Sequence, residues 1–455
     1  MRAIVIVLPR CQLACLGPYG CEWISTPTLD RLATQSVVCD QHYADRATPN
    51  GVRQSWRFGT PFASVERCDW LCALGDAGVV TALITERTLL TDRHPFVRGW
   101  SIQEFVHEPS GKACSLRVLD AANYVLDRLV QREHWLLWLE LPLLAFPWLE
   151  EDLALAPPEQ RSASDSPVAI GDTPTPPARS QEAPADQSGE AKATSASQSA
   201  QDLHTEPEDL DVELWLDPPR GRLGQSLTDA EYDRLTATYG ALIETADHLL
   251  GLLLDRLQAL GVYDQSLLIV TSDLGLPLGE HDVIGASPPQ LFEELVHVPL
   301  FLRLPGAAEA GRRIQQLTQP ADMVPTLLEH FQLPVPESCA GKSLWPVLHG
   351  HPEKLREYAC SVARMGCRQH EEWAIRTHHW YLRLPIWIQN KLDVRPELYK
   401  KPDDRWEVQN VADSHQDVAE HLELTLRRFL MLARIGAVDK LPELREAVLS
   451  LSQPA

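Results

Sequence analysis

The stretch Leu267-Leu-Ile-Val-Thr-Ser-Asp-Leu-Gly-Leu-Pro-Leu-Gly-Glu-His281 decides how the chain is read. Leu267 to Val270 is a short, unbroken apolar run, the pattern of a strand buried on both faces of a helix-covered sheet. Polarity changes abruptly at Thr271, Ser272 and Asp273, and Gly275 and Pro277 then force a turn. In an open α/β sheet, ligands gather beyond the carboxyl ends of the strands. Asp273 therefore sits where a metal-binding or catalytic carboxylate belongs, or else where an aspartate merely caps a turn.

The segment before it supplies the covering helix. Thr228-Asp-Ala-Glu231 is a capping box, in which two side chains satisfy orphan amides at a helix start. From Tyr232 through Leu235, Tyr239, Leu242 and on to Leu257, large apolar residues recur every three or four positions, and Gly261 ends the run. This is one half of a helix-over-parallel-sheet unit. Further strands are expected at Ala3 to Leu8, Val37 to Tyr43, Val79 to Thr85, Trp135 to Leu141 and Val298 to Leu304. A short helix from Pro27 would take Thr26 as its N-cap. Other helices are expected within Arg46 to Gly59, Leu116 to Leu129 and Pro320 to His330. Beyond about Pro352, strand-like pieces (Trp373 to Arg376, Trp380 to Leu384) and a helix from about Gln416 suggest a smaller α+β lobe.

With 455 residues, 44% of them hydrophobic, the chain is expected to form a large domain, 1–350, and a smaller one, 351–455. From about Ala154 to about Gly224, Pro, Ser, Ala and acidic residues dominate. Such a stretch cannot bury enough apolar surface to offset its ordering entropy, so it reads as a disordered acidic insertion. Glu208 to Leu216, which interleaves acids with Leu and Trp, is its one piece suited to docking. The insertion is the natural place for a protein partner. The formal charge of −22 argues against nucleic acid. Ten cysteines show no paired Cys-x-x-Cys spacing and read mostly as small buried hydrophobes. Met1 to Arg10 reads as a first buried strand rather than a signal peptide, and no run approaches membrane-spanning length. The expectation is a soluble, cytoplasmic protein with no membrane partner.

Several separated motifs now fall into one order. Thr26-Pro-Thr-Leu-Asp-Arg-Leu-Ala33 resembles the "TPNLDRLA" helix of the sulfatase family, in the alkaline phosphatase superfamily. Thr271 to His281 is similar to that family's "TSDHGxxLGEH", and Glu293-Glu-Leu-Val-His-Val-Pro-Leu300 to its "EExxRVPL". Val324-Pro-Thr-Leu-Leu328, Gly341-Lys-Ser-Leu344 and Glu397-Leu-Tyr399 continue the match. The resemblance implies an alkaline-phosphatase-like three-layer α/β fold: a mostly parallel central sheet with helices on both faces, plus the smaller C-terminal α+β lobe.

It also implies a chemistry that most of the matching positions no longer carry. Sulfatases use a formylglycine nucleophile, made from Cys or Ser, held against a divalent cation, usually calcium. Counting back from Gly17-Pro-Tyr-Gly20 puts the first-strand aspartate position on Pro9 and a second acidic position on Ala14. Arg53 and Gly59 keep the spacing of the nucleophile motif, which puts the nucleophile itself on Pro49. The His or Asn after the metal aspartate is Leu274, and no histidine stands in Pro142 to Trp148. Only Asp273 and Arg53 carry over. One carboxylate cannot fill six to eight oxygen sites on calcium, and losing the nucleophile removes the covalent route. The leading reading is a sulfatase fold that has lost sulfatase chemistry and serves in binding or as a scaffold. It needs no resident cofactor, and calcium only if a metal site survives. The alternative is a hydrolase of sulfate or phosphate esters with an altered site. Its candidates are Arg53, Thr48 and His281 for catalysis, Asp273 and Asp45 for a metal, and Glu280 beside them. Each also has a structural reading, as an ion-pair or turn residue.

Overall fold

The computed structural model describes residues 1–60, 69–86, 94–106, 112–146, 148, 214–285, 290–351, 355–364, 370–387, 395–434 and 442–444. Alternation along the first strand, β1 (Arg2–Val7), explains the layering. Ala3, Val5 and Val7 belong to one buried cluster, and Ile4 and Ile6 to another on the opposite face. Both faces are therefore covered, as the unbroken apolar sequence of the strand requires.

Chain order gives β2 (Val37–Cys39), β3 (Val80–Glu86), β4 (Ile102–Val106), β5 (Trp135–Glu140), β6 (Gly221–Arg222) and β7 (Ser266–Thr271). They are followed by β8 (Val283–Ile284), β9 (Leu300–Arg303) and β10 (Arg313–Ile314). Eight of these form the central sheet in the order β10-β2-β9-β7-β1-β5-β3-β4. Only β9 runs antiparallel to its neighbours in it. One face is covered by α1 (Pro27–Thr34) and by helices Lys112–Leu129 and Asp229–Ala259. The other is covered by α2 (Pro49–Phe58), Trp70–Asp76 and Met323–His330. The smaller lobe is an antiparallel sheet of β11 (Ala359–Arg364), β12 (His370–Arg376), β13 (Trp380–Trp387) and β14 (Glu397–Lys400). Helix Gln416–Arg434 packs on it through Leu422, Leu426 and Leu430. This is the three-layer α/β architecture with a smaller lobe that the sequence implies.

The structure departs from the sequence reading at several ends. Thr26 does not cap α1 with its side chain. Its hydroxyl accepts from Gly17 instead, and Asp247 of the long helix takes the Thr28 and Leu29 amides at 2.9 and 2.8 Å. A carboxylate from a packed neighbour outcompetes the local hydroxyl at a helix N-terminus. The strand expected to Tyr43 stops at Cys39, and His42 and Tyr43 then make only single bridges, to Thr318 and His297. Most of the acidic insertion lies outside the described residues, but its last part, 214–224, packs on the body. The Trp215 amide donates to Thr238 at 2.7 Å, and β6 pairs with β8.

Candidate functional site

Parallel register brings two acids to one end of the sheet. Val7 of β1 lies beside Glu140 of β5 on one side and Thr271 of β7 on the other. Glu140 is the last residue of its strand, and Asp273 stands two positions beyond the end of β7. Arg53 projects between them from α2. Its guanidinium donates twice to Glu140, at 2.9 Å from both Nε and Nη2, and once to Asp273 at 3.2 Å. Thr85, at the end of β3, donates to Glu140 at 2.6 Å. The other Asp273 oxygen accepts the Arg10 and Leu274 amides at 3.0 and 2.7 Å. The Arg53 and Glu140 side chains are fully buried, and that of Asp273 is 1% exposed.

Arg10 completes the cluster. Its backbone is left-handed, with φ of 68°, and its carbonyl accepts from Tyr239 of the long helix at 2.6 Å. Burial lowers its pKa, opposed by Asp273 and reinforced by Arg53. Burial also acts to lower the Arg53 pKa, but Glu140 and Asp273 outweigh it and raise the net value. Two carboxylates and two guanidiniums thus balance within one buried site. A calcium centre does not fit here. Pro9 offers no ligand atom, Leu274 is fully buried, both Asp273 oxygens are engaged, and Arg53 already lies between the carboxylates. A hard dication needs several free oxygens and no cation beside it.

The remaining sequence candidates lie elsewhere. Thr48 caps α2, its hydroxyl accepting the Gly51 amide at 3.2 Å, and Pro49 occupies the first helical turn. Asp45 does not join Asp273. It accepts from Ser55 at 2.9 Å, its other oxygen has no partner, and burial pushes its pKa up to about 7. It lines a separate cavity of about 670 Å³ with Gln319, Lys342, Arg356 and Tyr358. The sequence reading grouped Asp45 with Arg53. In the fold, Asp45 precedes the helix and Arg53 reaches from it in another direction.

Glu280 and His281 join a second cluster, at the seam between the α/β body and the smaller lobe. His281 is left-handed, with φ of 52°, and stacks on Phe292 with ring centroids 3.4 Å apart. Arg383 covers that phenylalanine at 3.3 Å. Burial, then Arg383, lowers the His281 pKa to about 4. Ligand atoms of His281, Glu294 and Glu407 lie within 4.8 Å of one another. Burial, then Glu280 and Glu407, raises the Glu294 pKa well above the carboxylate range. Burial, then Glu293, brings Glu407 up to about 7. Such a grouping of one imidazole and two carboxylates is able to hold a metal.

Gly275 allows this cluster to form. Its amide donates to Leu295 at 2.8 Å, and a Cβ there would collide with the Glu294 carbonyl oxygen. Gly275→Ala is expected to cost about 3 kcal/mol, because backbone rather than a flexible side chain must move. Chemical denaturation measures this, and a loss below about 1 kcal/mol would contradict the close approach.

Sequence reasoning missed Glu140, Arg10, Glu294 and Glu407. Glu140 had a signal, a lone acid in the apolar run Trp135 to Leu141. Glu294 lay inside a quoted motif without being singled out. Glu407, from the loop after β14, had no signal, since only tertiary packing brings it to the seam.

The family model for sulfatases matches residues 173–333, and the model for the N-sulphoglucosamine sulphohydrolase C-terminal region matches 279–431. An N-acetylglucosamine-6-O-sulfatase of Bacteroides thetaiotaomicron is 27% identical over 220 residues, covering 45% of this chain and 38% of that protein. A multifunctional alkaline phosphatase superfamily protein of Trinickia caryophylli is 33% identical over 135 residues, covering 29% and 26%. The chain thus spans well under half the length of these relatives. A structure solved with its substrate D-glucosamine-2-N,6-O-disulfate superposes with a TM-score of 0.69 at 18% identity, covering 96% of this chain and 99% of that one. The phosphonate monoester hydrolase of Agrobacterium radiobacter gives 0.65 at 17% identity, covering 95% of each chain. These likenesses agree in fold, and with the two matching family models the chain belongs to the sulfatase family of the alkaline phosphatase superfamily.

Proposed function

We propose that this chain is a sulfatase-fold protein without sulfatase chemistry that serves in binding or as a scaffold. The observation that supports this most is Arg53, fully buried and bonded to both Glu140 and Asp273. Each of its three guanidinium nitrogens donates to one of these two carboxylates, and neither carboxylate is left free for a cation. Pro49, at the position where the resemblance puts the nucleophile, has no atom that can become an aldehyde hydrate. Binding, by contrast, has space available. The cavity of about 670 Å³ at Asp45 lies in the range of small-ligand sites. The acidic insertion is suited to a protein partner by its charge and length.

The test is turnover. Purified protein is expected to release no 4-nitrophenol above buffer from 4-nitrophenyl sulfate, phosphate or phenylphosphonate, with calcium, magnesium or manganese present. Metal-dependent turnover lost in Asp273→Asn would overturn the reading. It would favour the second one, an ester hydrolase with an altered metal site at Asp273.

A further inference from the structure

We propose that the cavity of about 670 Å³ at Asp45 binds a small organic cation, an amine carried on an aromatic or other apolar body. This deepens the binding reading above and rests on it. The cavity lies where the smaller lobe meets the α/β body. Asp45, Gln319 and Lys342 come to its wall from the body, and Leu355, Arg356 and Phe429 from the other side. The two sides are tied beside Asp45 by the Val362 amide, which donates to the Asp45 carbonyl at 3.0 Å, and by the Ser361 hydroxyl, which donates to that of Ala44 at 2.6 Å.

Charge selects the occupant. The positive charge of Arg356 is already matched, since Nη2 pairs with Asp322 and Nη1 donates to the Gln319 side chain at 3.0 Å. Asp322 in turn accepts the Gln319 and Lys342 amides, both at 2.8 Å. Asp45 is not served in this way. Its Oδ1 takes the Ser55 hydroxyl at 2.9 Å. Its own amide and Arg46 also act on the carboxylate, but among the described residues no donor bonds Oδ2. A desolvated carboxylate oxygen without a donor is costly, and an ammonium group supplies both the missing donor and the missing charge. Burial pushes the carboxyl pKa up to about 7, so an arriving cation would draw it to the ionised form. Among the described residues the wall holds four acids, Asp45, Glu337, Glu357 and Glu443, against Lys342 and Arg356. Such a wall repels a sulfate or phosphate ester and attracts an amine.

The rest of the wall suits the body of that ligand. Leu355, Phe429, Ala433 and Pro442 give it an apolar part. The Phe429 ring is held edge-on to Tyr358, with centroids 6.0 Å apart, and offers an aromatic contact to a flat ligand. The Arg356 Nε, buried and without a partner, is left for an acceptor on the same molecule.

Tryptamine is the probe, with tryptophol and indole-3-propionate as neutral and anionic counterparts on the same ring. The full-length protein is titrated by calorimetry at about pH 8, where Asp45 is ionised and an alkylamine, titrating at about 10, stays protonated. Tryptamine is expected to bind about tenfold or more tightly than tryptophol, and indole-3-propionate more weakly than either. Asp45→Asn should weaken tryptamine by about tenfold and leave tryptophol unchanged. The asparagine keeps an oxygen for Ser55, so the variant is expected to fold, and a melting curve checks this. The three probes compared on the wild type decide the sign of the preferred charge without any variant. Tryptamine no tighter than tryptophol, tightest binding by indole-3-propionate, or undiminished tryptamine affinity in a folded Asp45→Asn overturns the proposal. Turnover of the nitrophenyl esters is read separately. Turnover lost in Asp273→Asn would sink the non-catalytic reading, whereas absent amine binding without turnover would sink this inference alone.

Discussion

Arg53→Met is expected to lower unfolding free energy by about 3–5 kcal/mol, the cost of leaving buried carboxylates without their cation. The Arg53 and Glu140 side chains are fully buried and Asp273 nearly so, so water cannot replace the lost guanidinium. Arg10 lies near Asp273, but its own desolvation limits the compensation it can give. The companion variant decides the interpretation. Arg53→Met combined with Glu140→Gln and Asp273→Asn removes all three charges, while Gln and Asn keep oxygens for Thr85 and for the two backbone amides. Replacing a whole buried ionic group is commonly near neutral, so the triple variant should recover more than half of the loss. Urea denaturation reads both. A single variant that loses less than about 1 kcal/mol would mean that Arg53 is not needed for the fold and is free for another task.

Acidification should destabilise the protein through His42, with a loss of about 3 kcal/mol by pH 4 from this residue alone. His42 is fully buried, its Nδ1 2.9 Å from the Thr318 hydroxyl and its Nε2 without a partner. Burial, then Arg356 and His297, lowers its pKa from 6.5 to about 3. The unfolded chain therefore takes up a proton near pH 6.5 that the folded chain refuses until about pH 3. Stability from the neutral imidazole is full above pH 6.5 and is lost as pH falls toward 3. Asp45 acts with the opposite sign. Its folded pKa of about 7 lies above the usual 3.8, so its contribution is full below 3.8 and lost as pH rises through 7. The comparison isolates His42, since His42→Asn retains Asp45. Denaturation midpoints of wild type and variant at pH 7.5 and pH 4 should show a smaller acid loss in the variant. Equal losses would show that His42 does not stay neutral in the folded state.

The sequence by itself determined the architecture. Apolar runs such as Leu267 to Val270 and the periodicity after Thr228 are local patterns, and burial on both faces of a sheet follows from them. It also determined what Pro9, Pro49 and Leu274 lack, because a side chain without a ligand atom lacks one in any fold. Tertiary structure alone decided what replaced the missing groups. Arg53 lies between Glu140 and Asp273 because parallel register aligns the ends of β5, β1 and β7, a relation across residues 87 and 220 positions from it in the chain. Asp45 turned away, and Thr48 became a cap, because the start of α2 fixes both. The seam cluster depends on packing of the smaller lobe against the body, which brings Glu407 to Glu294. Electrostatic partnership depends on distance in space, and no spacing along this chain encodes that distance.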